Sequence, residues 1–163
     1  MRLPEAVRRM HDDAPQVRAR GEADVGGATH PLARIARRLL RLPEPGAGQA
    51  LEFSIERRAD RETWTRKFAD HPMRSTLTQS GTQLRERLGP VTFFFELRHR
   101  GDAIDWQLRG VRVFGLPLPR GFFGDVISRS SSDHERYAFE VDVRLPLIGR
   151  LVAYRGWLER TDE

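Results

Sequence analysis

The sequence contains no cysteine, no asparagine and a single lysine, Lys67. Without cysteine the chain can form no disulfide, no thiolate nucleophile and no cysteine-ligated metal centre. No apolar run approaches the roughly 18 residues that a transmembrane helix needs. The first residues include an early acid, Glu5, and lack the apolar segment of a secretory signal. From these absences we expect a cytoplasmic protein.

The near-absence of lysine affects what can be inferred from the positive net charge. The chain has 28 basic and 23 acidic residues, a net charge of +5, and all basic residues except Lys67 are arginine. Such an excess ordinarily points to nucleic acid or to an anionic membrane. Lysine and asparagine use A-rich codons, so their scarcity indicates a GC-rich genome rather than selection for phosphate contacts. Because the arginines are also spread over the whole chain, we expect no nucleic-acid partner.

The first 45 residues show helical periodicity. One apolar stripe predicts a short helix over residues 4–12, and a second predicts a helix over residues 31–42 with an arginine face. We expect the second helix to dock its stripe on the rest of the domain and to expose its arginines. The alternative is a peripheral membrane contact through residues 31–42, because a cationic amphipathic helix is typical of membrane-surface binding. The stripes are Leu3, Val7 and Met10, then Leu32, Ile35, Ala36 and Leu39, and the arginine face is Arg34, Arg37, Arg38 and Arg41.

Beyond residue 50 the apolar residues alternate with polar ones, in short segments separated by turns. We therefore predict one mainly β (α+β) domain over residues 1–163, with a helical part over about 1–45 and an antiparallel β part over about 50–160. We expect a curved or closed, barrel-like sheet of about 8–10 strands with one or two short N-terminal helices. A change of phase predicts a bulge at Gly110. The predicted strands are residues 16–24, 51–56, 64–68, 73–80, 83–88, 91–97, 104–113, 126–129, 137–145 and 151–158.

Several phrases of the sequence carry a family resemblance. They are Leu3-Pro4-x-x-Val7, Leu32-x-x-Ile35-x-Arg37-x-Leu39, Trp64-x-Arg66-x-Phe68, Gly115-Leu116-Pro117-Leu118-Pro119, and the closing run from Leu145-Pro146-Leu147-Ile148-Gly149 to Tyr154-Arg155-Gly156-Trp157-Leu158. Together they resemble an uncharacterised bacterial domain-of-unknown-function family, number 4166. The resemblance implies a recurring domain but no particular activity. In some members of the family the domain follows a nucleotide-binding epimerase- or dehydrogenase-like domain.

The usual signatures of catalysis are missing. The histidines lie far apart, without the helix-face spacing of a metal site, and the chain has no Gly-x-Gly-x-x-Gly, so we expect neither a metal nor a cofactor. The run of residues 130–134 contains serine, aspartate and histidine, but adjacent residues cannot form a triad, and we interpret it as a polar turn. We therefore assign no catalytic residue and favour a non-enzymatic domain, leaving enzymatic activity open.

Arginines in aromatic strand contexts give the best indication of a site. Strict alternation places Arg66 on one face with Trp64 and Phe68, and in a small closed barrel that face lines the interior. An inward arginine can bind a carboxylate or phosphate while aromatic rings cover an apolar tail. We therefore predict that the barrel binds a small apolar or amphipathic anionic ligand, such as a fatty acid. The predicted ligand-binding residues are Trp64, Arg66, Phe68, Trp106, Arg109, Tyr154, Arg155 and Trp157.

Three alternatives remain open at this point. The arginines can instead pair with strand carboxylates, for which Glu52, Glu56, Glu96 and Glu140 are available. The chain can be an accessory or interaction domain that docks on a partner protein or a membrane surface. A small enzyme can also use the same cavity.

Overall fold

The alternating segments form long antiparallel strands in the computed structural model, which describes residues 4–161. Leu3, part of the predicted first stripe and of the first family phrase, lies outside the described residues. The helices are α1 (Glu5–Met10) and α2 (Pro31–Leu39), with one 3₁₀ turn at Arg120–Phe122. The strands are β1 (Gln16–Gly26), β2 (Gly46–Arg58), β3 (Arg61–Phe68), β4 (His71–Ser80), β5 (Gln83–Leu88), β6 (Val91–Arg100), β7 (Ala103–Val113), β8 (Leu116–Pro117), β9 (Val126–Asp133), β10 (Arg136–Leu145) and β11 (Gly149–Arg160).

Ten of these strands close into a barrel. Strands β1 to β7 are neighbours in chain order, β7 pairs with β9, and β9, β10 and β11 return to β1. The two-residue β8 pairs only with β7. Every pairing is antiparallel, which confirms the predicted closed, mainly β fold. Closure leaves the ten strands without a free edge.

Antiparallel order divides the connections between two ends of the barrel. Successive strands alternate in direction, so the β1–β2, β3–β4, β5–β6, β7–β9 and β10–β11 connections share one end. This end includes α2, and we call it the α2 end. The opposite end carries the segment before β1, which includes α1, and the other four turns. We call it the α1 end.

The register shifts in the β1–β2, β6–β7 and β10–β11 pairs, and the bulges of the last two pairs decide which predicted site residues point inward. Phe94 pairs with Gly110 but Phe95 pairs with Leu108, so Arg109 is an extra residue in β7. This confirms the predicted bulge beside Gly110. The second bulge lies between β10 and β11, where the register shifts after the Val143–Val152 pair. A bulge shifts the alternation of side chains by one residue. Each later residue of the strand therefore lies on the opposite face of the sheet from the one that strict alternation predicts.

The predicted docking of the second helix is wrong. Leu32, Ile35 and Leu39 are exposed, whereas Ala33 and Arg37 are buried. The Arg37 guanidinium donates to the Pro43 carbonyl at 3.2 Å and forms an ion pair with Glu44 at 2.9 Å. The short link to β2 accompanies this orientation, since its residues Leu42 and Pro43 are buried while the helix stripe is not.

Two proline-containing segments lie at the α2 end, outside the barrel wall. Pro117 belongs to the short β8, and Pro146 lies in the β10–β11 turn. Proline has no amide hydrogen to give to a ladder, so these positions suit the residue. In the described part of the chain, neither helix is long and apolar enough to span a bilayer.

Candidate functional site

The barrel interior contains a cavity of about 120 Å³. Its wall is mainly apolar and aromatic, because inward positions on successive strands carry large side chains. Leu40 and Leu42, which follow α2, line it from the α2 end. Five of the predicted ligand-binding residues line this cavity: Trp64, Arg66, Phe68, Trp106 and Tyr154.

Edge-to-face aromatic contacts organise the cavity wall. The ring centres of Trp64 and Trp106 lie 5.8 Å apart with an interplanar angle of 71°. Those of Phe95 and Trp106 also lie 5.8 Å apart, with an angle of 79°. On another side, Phe68 and Tyr154 lie 5.2 Å apart at 64°. Such pairs contribute about 0.5–1.5 kcal/mol each beyond their burial, so the ring positions are well determined.

Arg66 is paired within the barrel by residues of the two following strands. Its guanidinium lies 3.4 Å from Glu86 Oε1 and donates to Ser75 Oγ at 3.1 Å, and the Ser75 hydroxyl donates to the same Glu86 oxygen at 2.6 Å. The Arg66 guanidinium carbon also lies 5.1 Å from the centre of the Trp64 ring. Burial lowers the pKa of Arg66, but the charge of Glu86, the two tyrosines Tyr154 and Tyr137 and the hydrogen bond to Glu86 together outweigh it, and the pKa is raised overall. The site therefore holds a permanent cation that is neutralised by Glu86.

Two tyrosines complete the polar part of the interior. The Tyr137 hydroxyl forms a hydrogen bond of 2.7 Å with Ser130, which is also buried. Burial raises the pKa of both Tyr137 and Tyr154, and the nearby Arg66 charge only partly opposes this. Both hydroxyls therefore stay protonated at neutral pH and can donate or accept hydrogen bonds.

Trp106, which lines the cavity, has an indole donor without a hydrogen-bond partner. The indole Nε1 is buried and makes no hydrogen bond to any residue that the structure describes. Trp64, by contrast, donates its Nε1 proton to Glu62 Oε2 at 2.8 Å. A buried donor without a partner costs about 1–3 kcal/mol, so a ligand oxygen that accepts from Trp106 would gain this energy.

The other three predicted residues lie outside the cavity. Arg109, the bulge residue, binds Glu96 Oε2 through Nε at 2.8 Å and Nη2 at 2.7 Å, so the carboxylate-pair alternative applies to it. Arg155 is exposed, opposite Asp24 of β1 and Glu140 of β10 in the register. Trp157 is stacked against Arg136 at 4.3 Å. The inner face of β11 is the Val152, Tyr154 and Leu158 face, because the bulge precedes it.

Sequence reasoning missed the polar partners inside the barrel. Glu86 alternates in phase with Leu84 and Leu88. The sequence therefore already indicated an acid on the apolar face of this strand. Ser130 gave no such signal. The polar turn predicted over residues 130–134 is wrong for its serines, which belong to β9, and the turn consists of His134 and Glu135.

The described residues contain no group of three or more histidine, aspartate or glutamate side chains that could hold a metal ion. The donors that remain are the neutral hydroxyls, the Trp106 indole and the Arg66–Glu86 pair. This arrangement can bind a small molecule through apolar contacts and a few hydrogen bonds.

The fold and its interior define a closed antiparallel β-barrel domain with a small, mostly apolar internal cavity. The chain matches the family model of a domain of unknown function, DUF4166, over residues 3–158, and it belongs to that family. No curated protein and no solved structure is significantly similar to it.

Proposed function

We propose that the barrel binds a small, mostly apolar molecule with one oxygen acceptor in its interior. The observation that carries the proposal is the unpaired donor of Trp106, a residue that lines the aromatic cavity of about 120 Å³. An apolar cavity of about 150 Å³ accepts benzene, so a molecule no larger than about one ring or a short chain is the matching size.

The charge arrangement favours a neutral ligand over the amphipathic anion predicted from sequence. Arg66 already faces Glu86, and an added carboxylate would be repelled by that glutamate. A neutral oxygen can instead accept from Trp106, or exchange hydrogen bonds with the Tyr154 hydroxyl. Binding of an anion would require the Arg66–Glu86 pair to separate.

The test uses three probes of similar size: toluene, benzyl alcohol and benzoate. The three tryptophans give three indole N–H signals in a ¹⁵N-resolved NMR spectrum, each assigned by a Trp→Phe variant. We expect benzyl alcohol to shift the Trp106 signal most, because its oxygen accepts from that donor. Trp157 lies outside the barrel and serves as an internal control.

Trp106→Phe keeps an aromatic ring but removes the donor together with part of the indole, so the binding of toluene to the same variant is the control for the altered cavity. We expect it to abolish the preference for benzyl alcohol over toluene, which is about five- to tenfold for one neutral hydrogen bond. Removing Arg66 is a poorer test, because it would leave the Glu86 charge buried and cost about 3–5 kcal/mol of stability.

If none of the probes shifts the Trp64 or Trp106 signal, the interior does not bind such molecules. Tighter binding of benzoate than of benzyl alcohol would favour the anionic ligand instead.

The natural ligand can be sought directly. Native mass spectrometry of the protein purified from its own host should show an added mass that disappears on unfolding. A bound molecule that carries a free carboxylate or phosphate would contradict the neutral-ligand proposal.

A further inference from the structure

Exposed apolar side chains are concentrated at the α2 end of the barrel. Among residues 4–161, nine large apolar side chains are exposed, and seven of them lie on connections at this end. The α1 end has none in the described part of the chain. The seven are Leu32, Ile35 and Leu39 on α2, Phe114, Leu116 and Phe122 between β7 and β9, and Leu147 in the β10–β11 turn.

These side chains project from three separate segments, and Phe114 also borders an open surface pocket that contains Arg85, Arg87 and Arg112. Leu39 is 76% exposed, Phe114 is 81% exposed and Leu147 is fully exposed. Phe114 and Leu147 also have left-handed backbone conformations, with φ of 51° and 67°. Bulky residues are uncommon there, and glycine or asparagine would fit these turns better. Separate apolar tips suit insertion into a soft acyl layer more than burial in one protein pocket.

The two ends of the barrel also differ in charge, and the α2 end, which has the exposed apolar side chains, is the more positive one. Five arginines and three acids lie on the α2-end connections, whereas two arginines and six acids lie on those of the α1 end. Cations beside apolar tips match an anionic bilayer, which attracts arginine at its surface and takes up the apolar groups beneath. The α2-end charges are Arg34, Arg37, Arg38, Arg41 and Arg120 with Glu44, Asp70 and Asp125; the α1-end charges are Arg8 and Arg9 with Glu5, Asp12, Asp13, Asp60, Asp102 and Glu135.

We propose that the α2 end is a docking surface for anionic lipid bilayers, through the exposed face of α2 and the tips at Phe114 and Leu147. The proposal does not depend on a ligand inside the barrel. It assigns the apolar face of α2 to the lipid and the adjacent arginines Arg38 and Arg41 to the headgroups. A bilayer bound there would lie next to the side of the cavity that Leu40 and Leu42 close.

The test is cosedimentation of the full chain with phosphatidylcholine vesicles, with and without phosphatidylglycerol, at low and high salt. We expect binding to the phosphatidylglycerol vesicles only, weakened by salt because surface charges are screened. Replacing Leu39, Phe114 and Leu147 together with glutamine should lower the partition coefficient at least about tenfold, because each inserted side chain contributes apolar burial. The same three side chains are exposed, so folding should survive, which circular dichroism can verify.

Matched variants locate the surface. Arg38→Gln with Arg41→Gln should weaken binding by about fivefold per arginine at low salt. Arg8→Gln with Arg58→Gln removes the same charge near the α1 end and should leave binding unchanged. Likewise Leu39→Gln should weaken binding, whereas Leu97→Gln, an exposed leucine on the barrel wall, should not.

Two results would overturn the proposal. One is equal loss of binding in the α1-end and α2-end arginine variants, which would indicate attraction by net charge alone. The other is no vesicle binding combined with self-association that the triple glutamine variant abolishes, as measured by light scattering. That outcome would assign the apolar face to a second copy of the chain.

Discussion

The two short helices lie at opposite ends of one barrel and place their apolar residues differently. Helix α1 buries Val7 and Met10 completely or nearly so, whereas α2 exposes the three large residues of its stripe and buries Ala33 and Arg37. Both stripes have the same helical spacing in the sequence. Apolar periodicity therefore identifies a helix and its apolar face, but not what covers that face.

The turns at the two ends show the same contrast. At the α1 end, the left-handed positions of the β9–β10 turn are His134 and Glu135, with φ of 46° and 67°. At the α2 end, Phe114 and Leu147 have comparable backbone conformations but apolar side chains. A polar residue in such a turn is solvated without cost, whereas an apolar one keeps exposed surface that a partner can bury.

The largest expected effect is on the free energy of unfolding, and it should differ between a substitution in α1 and one in α2. Met10→Ala should cost about 2–5 kcal/mol in the free energy of unfolding, because it leaves a cavity in the core. Leu39→Ala, at an exposed position, should change it by less than about 0.5 kcal/mol. Urea unfolding of both variants measures the difference. Similar losses in both would mean that α2 docks its stripe after all.

The attachment of α2 can be tested at Arg37. Arg37→Met should cost about 1–3 kcal/mol, since the Pro43 carbonyl would lose its donor and Glu44 its partner. Arg38→Met, one residue away and exposed, is the control and should be close to neutral. If the two variants unfold at the same urea concentration, the buried guanidinium does not hold the helix.

Acidification should affect the α1 end through His11, which follows α1. Burial lowers its pKa below the ordinary value of 6.5, against the attraction of Glu62. The unfolded chain therefore takes up the proton first, so this part of the stability is complete above about pH 6.5 and is lost as the pH falls towards the folded pKa. We expect a lower urea midpoint at about pH 5.5 than at about pH 7.5.

His11→Phe provides the control for this pH dependence. It retains an aromatic ring beside Trp64 and Tyr137, both of which lie 5.9 Å from the histidine ring. The variant should lose less stability than the parent between the two pH values. An unchanged pH dependence would assign the effect to another group.

The smallest expected effect concerns the Leu147 turn. Leu147→Gly relieves a left-handed conformation that costs a non-glycine residue about 1–2 kcal/mol, offset by about 0.5–1 kcal/mol of added chain entropy. We expect a net stabilisation below about 1 kcal/mol, visible as a small rise in Tm. A clear loss of stability would show that Leu147 contributes to the fold, and would weaken its assignment to a docking surface.

Much of the fold was predictable because alternation and turn residues are local signals. The bounds of β5 and β10 match the prediction closely, and the bulge beside Gly110 was indicated by its change of phase. The facing of β3 was also predictable, because no bulge interrupts its alternation of Trp64, Arg66 and Phe68. The polar partner of Arg66 was not, since Glu86 lies two strands away and only closure and twist bring it close.

By itself the sequence determined the succession of two helices and then antiparallel strands, and it placed the bulge in β7. Period-two alternation defines two faces of a strand, and turn residues define where the chain reverses. Only the tertiary structure decided that Arg66 lies inside and Arg155 outside, and that α2 exposes its apolar stripe. The physical reason is that a bulge reverses the faces of a strand and a short link fixes the orientation of a helix, and neither consequence is visible in the local pattern of residues.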